Sequence, residues 1–418
     1  MMYDQSYNRN SLNKLIRRGD FRDTKGMPHE VFREQLIQLA IRTASDGFET
    51  INPLEKIHLK KKPAYKAANL HDQLVLRKMG ANLKRHLTKT PTNRSRVTSS
   101  LRSLLEEAVP YTIVRLDISA FYESINSAIL TENIESLTTL NPYTKLQLRN
   151  LLKHYENLGG TGVPRGVGLS SILSDLYMQN FDSEVSSLDQ VYYYARYVDD
   201  MILVVNPKKS AVIVSEIENI LPTGLRLNEK KTRCCSACSG INTSDKMCYR
   251  NLTLVVEFLG YEFLVENPEK APDRGQRRSV HIEISRAKIA RIKKRMMLSL
   301  LSFARNGDFE LITDRFKYLS SNFGITDKNT GKRVLAGIFY GYPLLDDNAE
   351  SLRELDAFLR ALIFHQHGRF SGANAVAFSS KQRRKLLAVS FVKGHRERNY
   401  VNFSTRRIGK IQECWRHG

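Results

Sequence analysis

Cysteine is scarce in this sequence: Cys234, Cys235, Cys238, Cys248 and Cys414 are the only five in 418 residues. So few thiols, odd in number, fit free thiols in a reducing compartment better than a disulfide framework. Long apolar runs are missing too. No 18-residue hydrophobic stretch exists, which excludes a helical membrane span. The opening MMYDQSYNRNSLNKLIRRGDF is polar and charged, without the apolar heart of a secretory signal, so a cytoplasmic protein is expected. The ten histidines form no H-E-x-x-H set, and the glycine-rich loop NLGGTGVPRG is not a Walker A sequence. Neither a metalloprotease nor an ATPase is indicated. There is no internal repeat and no low-complexity tract.

Acidic residues are also outnumbered, with 43 Asp+Glu against 65 Lys+Arg and a formal net charge of +22. A surface this cationic attracts polyanions and repels itself when none is bound, which makes nucleic acid the leading partner and a membrane an unfavoured one. The excess is concentrated: residues 276–418 hold 28 Lys+Arg and 12 Asp+Glu. In other respects the composition, 41% hydrophobic and 26% charged, is that of an ordinary globular protein, and the length predicts two or three lobes.

Residues 1–108 are mixed, with a helix predicted around HEVFREQLIQLAIR and another at SSLRSLLEEAV. YTIVRLDI alternates as a strand ending at Asp117, followed by a helical region at about 127–158 that stops at the glycine-rich loop. A helix (SSILSDLYMQNFDSEV), a hairpin, another helix (KSAVIVSEIENIL) and a strand pair around LTLVVEFLGYEFLVE complete a region 109–275. The linker NPEKAPDRGQRRS marks a boundary, beyond which residues 276–418 read as helical. There Ile289, Ile292, Met296, Leu300 and Phe303 recur at helical spacing with Lys and Arg between them. This is a core-facing stripe whose basic flank is either solvated or turned to phosphate.

The hairpin carries the chemistry. In VYYYARYVDDMILVV two carboxylates, Asp199 and Asp200, sit between apolar β-prone runs, where they occupy a tight turn. The turn is either an ordinary exposed one or a pair awaiting a divalent cation. Phosphoryl and nucleotidyl transfer by two cations needs carboxylates converging from separate segments. Asp117, at the end of its strand, supplies a third: if that strand pairs beside the hairpin, Asp117 and Asp199 are expected to face one another, with Asp200 adjacent.

The blocks RLDISAFYESI, GVPRGVGLSSILSDLYM, YVDD, LNEKKT and EFLGYEF resemble, in that order, the palm motifs of reverse transcriptases. The resemblance covers residues 90–265 well and the flanks weakly. It implies an α+β right-hand polymerase of fingers, palm and thumb. Residues 1–108 would be an N-terminal extension and fingers. Residues 109–275 would form a palm of antiparallel sheet backed by helices, with a fingers insertion at about 127–162, and residues 276–418 a basic helical thumb and RNA-binding region. It further implies two Mg²⁺ ions held by Asp117, Asp199 and Asp200, hard oxygen ligands of the kind that ion prefers. Tyr122 resembles the aromatic gate that rejects a ribose 2′-hydroxyl, the alternative being a packed core tyrosine. Gly166, with Pro164, would shape a turn near the incoming base pair, and Ser170 would sit on the helix that follows. Arg165 stands where most relatives carry Gln, which puts the usual nucleotide contact in doubt and offers a guanidinium for phosphate instead. Lys231 resembles the lysine that meets departing pyrophosphate. Arg94 is a triphosphate candidate, and Leu259 and Gly260 would form the primer-binding turn.

The C-terminal run interleaves Phe391, Tyr400, Phe403 and Trp415 with basic residues, a mix suited either to gripping RNA or to a basic helical subdomain with an aromatic core. No RNase H or HNH block is present. The whole is similar to compact bacterial reverse transcriptases related to retrons and group II introns, in particular those that defend against phage, including the a-subunits of type 3 systems. That likeness implies a structured non-coding RNA, a DNA product, dNTPs and a companion reverse transcriptase subunit as partners. A retron or mobile-element enzyme and a non-catalytic RNA scaffold with a relic palm are the alternatives. The C-C-x-x-C cluster with Cys248 is read either as a zinc site or as free thiols.

Overall fold

The structure, a computed structural model, describes residues 3–21, 26–59, 62–88, 93–237, 253–266, 277–327, 333–346, 349–364 and 378–415. The chain divides into two compact units. The first comprises Met1–Val97 and Pro110–Ala237; the second comprises Thr98–Val109 with the described parts of 238–328 and 332–418.

The first unit opens with α1 (Arg9–Asn13), capped by the Asn8 side chain, and α2 (His29–Asp46). A hairpin follows, β1 (Leu54–Leu59) and β2 (Lys62–Ala67), then α3 (Leu70–Leu83). α4 (Arg94–Leu105) begins in this unit and ends in the other. β3 (Tyr111–Asp117) leads into the short α5 (Phe121–Ser124), α6 (Ser127–Glu135) and α7 (Pro142–Asn157). The region expected to be helical over about 127–158 is therefore two helices. Asn126 caps the first and Asn141 the second, each accepting from backbone N–H groups that lack a partner within the helix.

α8 (Gly168–Ser187) precedes the hairpin β4 (Val191–Tyr197) and β5 (Asp200–Val205), followed by α9 (Ile213–Ile220) and β6 (Arg233–Ala237). These strands form one antiparallel sheet in the order β4-β5-β3-β6. β3 and β5 are buried on both faces, which explains why Ile113, Val114, Leu116 and Ile202, Leu203, Val204 read as nearly continuous apolar runs. Helix α8 buries a long row of residues in the core with the sheet, including Leu173, Leu176 and Phe181, and carries polar residues such as Asp175, Asn180 and Glu184 elsewhere on its surface.

The second unit holds the antiparallel sheet β7 (Thr253–Phe258), β8 (Tyr261–Glu266) and β9 (Ser279–Ile284). Next come α10 (Arg286–Asn306), α11 (Phe309–Ser320) and a hairpin of β10 (Asn322–Thr326) with β11 (Arg333–Gly337). The unit ends with α12 (Ile338–Gly341), α13 (Glu350–Ile363), α14 (Ser380–Leu387), α15 (Phe391–Arg396) and α16 (Thr405–Glu413). The architecture is mixed, with antiparallel sheets backed by helices and a largely helical C-terminal region. Two departures from the sequence reading stand out. β9, in SVHIEI, carries a period-two burial pattern within a stretch read as helical, and the β10–β11 hairpin interrupts the helices.

On α10, Ile289, Met296, Leu300 and Phe303 are buried, as a core-facing stripe requires, while Ile292 is only partly buried. Three of the four aromatics of the C-terminal run, Phe391, Phe403 and Trp415, pack rather than stand free. Phe391 and Trp415 are buried, and Trp415 Nε1 donates to the Arg295 carbonyl and to Ser299 Oγ at 3.0 and 3.1 Å. Phe403 lies against Tyr318 and Phe323, while Tyr400 is exposed with the Arg333 guanidinium over its ring. Cys234 and Cys235 lie on β6; Cys238 and Cys248 lie outside the described residues, and the zinc reading with them.

Candidate active site

The site is built at one end of the β4-β5-β3-β6 sheet. β3 pairs with β5 so that Asp117 stands directly opposite Asp200, and the Ile118 N–H donates to the Asp199 carbonyl at 3.2 Å. Facing residues of an antiparallel pair share a face, so both side chains leave the sheet on the same side. Asp199 occupies the two-residue turn between β4 and β5. It is therefore Asp200, and not Asp199, that faces Asp117 across the strands.

A cavity of about 330 Å³ opens here, entirely within the first unit, and Asp117, Tyr122, Arg165, Asp199, Asn228 and Lys231 line it. Asp117 is buried, and its two carboxylate oxygens accept from Lys231 Nζ at 3.0 and 2.8 Å. Asn228 holds the same residue twice. Its backbone N–H donates to the Asp117 carbonyl at 2.7 Å and its Nδ2 to Oδ1 at 3.1 Å. Asp200 is paired instead with Arg115, which donates to its Oδ1 at 3.2 Å from two residues before Asp117 on the same strand.

The cavity wall sets two carboxylates, Asp117 and Asp199, against two cations, Lys231 and Arg165. Burial pushes the Asp199 carboxyl above the usual range, and the negative charges of Asp200 and Asp117 push it further. The hydrogen bond to Asp117 holds the Lys231 ammonium above its ordinary value, against some loss from burial. Among the described residues no three His, Cys, Asp or Glu side chains converge as a ligand set, and Asp117 and Asp200 are each turned to a basic residue. The donors present are carboxylates that already collect cations, which suits a hard divalent ion once the basic side chains yield.

Tyr122 lies on α5, partly buried, and burial followed by the charges of Asp175 and Asp199 raises its hydroxyl pKa. Its carbonyl accepts from the Val163 N–H at 2.9 Å. Arg165 does not reach across the cavity. Its Nε and Nη2 both donate to Glu123 at 2.9 Å, and its Cζ lies 5.6 Å from the centre of the Tyr122 ring. The loop bearing Arg165 is pinned to β2 through the Tyr65 N–H, which donates to the Arg165 carbonyl at 2.7 Å. Gly166 is required at that approach: its φ is +99°, and a Cβ would lie 2.7 Å from the Tyr65 carbonyl oxygen.

Ser170 is buried and its hydroxyl donates to the Pro164 carbonyl at 2.6 Å, so it closes the loop and does not line the cavity. Arg94, at the start of α4, is also outside the cavity lining. Leu259 and Gly260 belong to the second unit and form the two-residue turn between β7 and β8. Both have positive φ, 47° and 83°, as a type I′ turn requires. Four residues that the sequence reading did not single out shape the site: Asn228, Glu123, Arg115 and Arg196. Each lies inside or beside a quoted block, but nothing local to the block states its partner.

Residues 60–263 match the family model described as reverse transcriptase (RNA-dependent DNA polymerase). The chain carries a reverse-transcriptase domain. No curated protein matches it. Two solved telomerase structures resemble it distantly. One is an apo telomerase from Candida tropicalis truncated from the C-terminal domain, at 15% identity and a TM-score of 0.31, covering 46% of this chain and 42% of that one. The other is telomerase from Candida albicans in complex with a TWJ fragment of telomeric RNA, at 11% identity and a TM-score of 0.37, covering 93% and 66%. The reverse-transcriptase domain contains every residue that lines the cavity, and it extends to the β7–β8 turn.

No helix among the described residues is long and apolar enough to cross a membrane.

Proposed function

We propose that the protein is an RNA-directed DNA polymerase that adds deoxynucleotides to a primer end at the Asp117–Asp199–Asp200 site. One observation carries this reading: carboxylates from β3 and from the β4–β5 turn meet at one cavity whose wall also holds Lys231 and Tyr122. In this reading Asp117, Asp199 and Asp200 would hold two Mg²⁺ ions, which would supply activation of the attacking hydroxyl and charge stabilisation on the phosphates.

Lys231 leaves Asp117 and turns its ammonium to the departing pyrophosphate, a move open to a side chain that is 56% exposed. Tyr122 lies under the sugar as the gate. Arg165, charge-balanced by Glu123, flanks it and presents a guanidinium edge to the nucleotide. Arg94 is a further triphosphate candidate, and Leu259 with Gly260 a primer-binding turn. The partners are RNA, which the +22 net charge favours, the DNA product and dNTPs.

The test is primer extension by the purified protein with its copurifying RNA. Asp199→Ala should abolish synthesis while RNA binding persists. Undiminished synthesis refutes the polymerase, and a wild-type chain that binds RNA but extends nothing supports the scaffold reading. We further propose, from the likeness of the motif blocks alone, a role in bacterial defence against phage with a structured RNA and a companion polymerase subunit. A drop in phage plating that Asp199→Ala abolishes would support it, and equal plating with and without the wild-type gene would end it.

A further inference from the structure

The turn that presents Asp199 has an unfavourable conformation. Val198 and Asp199 are its two central residues, and Val198 alone of the two has positive φ, +63°. That sign pattern belongs to type II′ turns, whose first central position favours glycine. A β-branched residue in the left-handed region is an outlier that persists only when its surroundings hold it there.

Those surroundings are a buried ion-pair network. Arg196, on β4, is 8% exposed, and its Nη1 donates to the Val198 carbonyl at 3.1 Å. The rest of the guanidinium is gripped from α8. Nε and Nη2 donate to the two Asp182 oxygens at 2.8 and 2.7 Å, and Nη2 donates to Asp175 at 3.2 Å. Tyr194 adds its hydroxyl, donating to Asp182 at 2.6 Å. Asp175 and Asp182 are seven residues apart, two turns along one face of α8. Nothing in this network lines the cavity, yet all of it converges on the carbonyl next to Asp199. Without that donor, the Val198–Asp199 peptide is free to rotate out of its strained state and take the Asp199 carboxylate with it.

We infer that Arg196 is a positioning residue: clamped by Asp182 on α8, it pins the Val198 carbonyl and so keeps the strained turn aiming Asp199 into the cavity. The inference rests on the polymerase reading for its consequence but not for its geometry, so two readouts separate them. Arg196→Lys keeps the positive charge against Asp182 and Asp175 but loses the planar fork that reaches three acceptors at once. In primer extension it should lower kcat by about 10- to 100-fold, the scale of a small misplacement of a reacting group, with KM for dNTP little changed. Adding Val198→Gly, which suits the turn without a clamp, should recover much of that loss. A residue needed only for folding would show no such recovery.

The activity-independent readout is amide hydrogen exchange at Ile118, whose N–H is held by the Asp199 carbonyl. Exchange there should quicken in Arg196→Lys and slow again in the double variant. If the lysine variant does not fold, Asp182→Asn, which loosens the clamp, takes its place with the same two expectations. Unchanged exchange at Ile118 in a folded variant, or a double variant no better than the single, overturns the clamp. A wild-type chain that extends no primer refutes the polymerase reading instead, and leaves the exchange result to decide the clamp.

Discussion

Replacing Gly162 with alanine offers a direct trial of how the Tyr122 wall is built. Gly162 has φ of +71°, and a Cβ added there would lie 2.1 Å from the Tyr122 carbonyl oxygen and 3.0 Å from the Glu123 carbonyl carbon. Both neighbours are backbone, so no side chain can swing aside. The left-handed conformation alone costs an L-residue roughly 1–2 kcal/mol. Relieving the contact also breaks the 2.9 Å bond from the Val163 N–H to the Tyr122 carbonyl, a loss of about 0.5–1.5 kcal/mol. The total, about 1.5–3.5 kcal/mol, should lower the melting midpoint by roughly 3–14 °C in a unit of this size. The displaced segment carries Tyr122 and Glu123, and Glu123 holds Arg165. Discrimination between dNTP and rNTP should therefore weaken together with stability. Thermal unfolding and paired extension reactions measure the two effects. A Gly162→Ala protein that melts with the wild type and keeps its nucleotide preference would refute the account of this wall.

Three further outcomes follow from the same geometry. Tyr122→Ala should raise ribonucleotide incorporation, measured as the rNTP/dNTP ratio of kcat/KM, and an unaltered ratio would remove Tyr122 from the gate. Lys231→Ala should lower kcat by about 10²-fold, the scale of losing one charge-stabilising donor, with KM for dNTP little changed; a rise in KM alone would assign the ammonium to substrate binding. Affinity for RNA, followed by filter binding from low to high salt, should fall steeply because each neutralised phosphate releases counterions, and a flat response would reject the electrostatic grip.

Local patterns were legible where they depend on near neighbours. YTIVRLD reads as a strand and is one, although β3 is buried on both faces and does not alternate; the apolar runs flanking YVDD place a hairpin, and the spacing from Ile289 to Phe303 places the buried stripe of α10. The motif order located the reverse-transcriptase domain, and it led to Asp117, Asp199, Tyr122 and Lys231, which share one cavity. β9 was lost because a polar, proline-bearing linker precedes it, and six alternating residues beside a long helical pattern carry little weight. The C-terminal aromatics were equally ambiguous: Trp415 reads the same on a surface as in a core, and its burial against Arg295 and Ser299 tells which.

The sequence alone, then, determined the residue types of the site and the elements that bear them, since strand, turn and helix propensities act over a few residues. It also determined the strong positive charge, which depends on composition and not on shape. The tertiary structure decided the pairings. Asp117 faces Asp200 and not Asp199, Lys231 rests on a carboxylate 114 positions away, Arg165 is claimed by Glu123, and Arg196 pins the turn from beneath. Strand register and side-chain partners are set by which segments share a core, and segments distant along the chain leave no mark of that in the residues beside them.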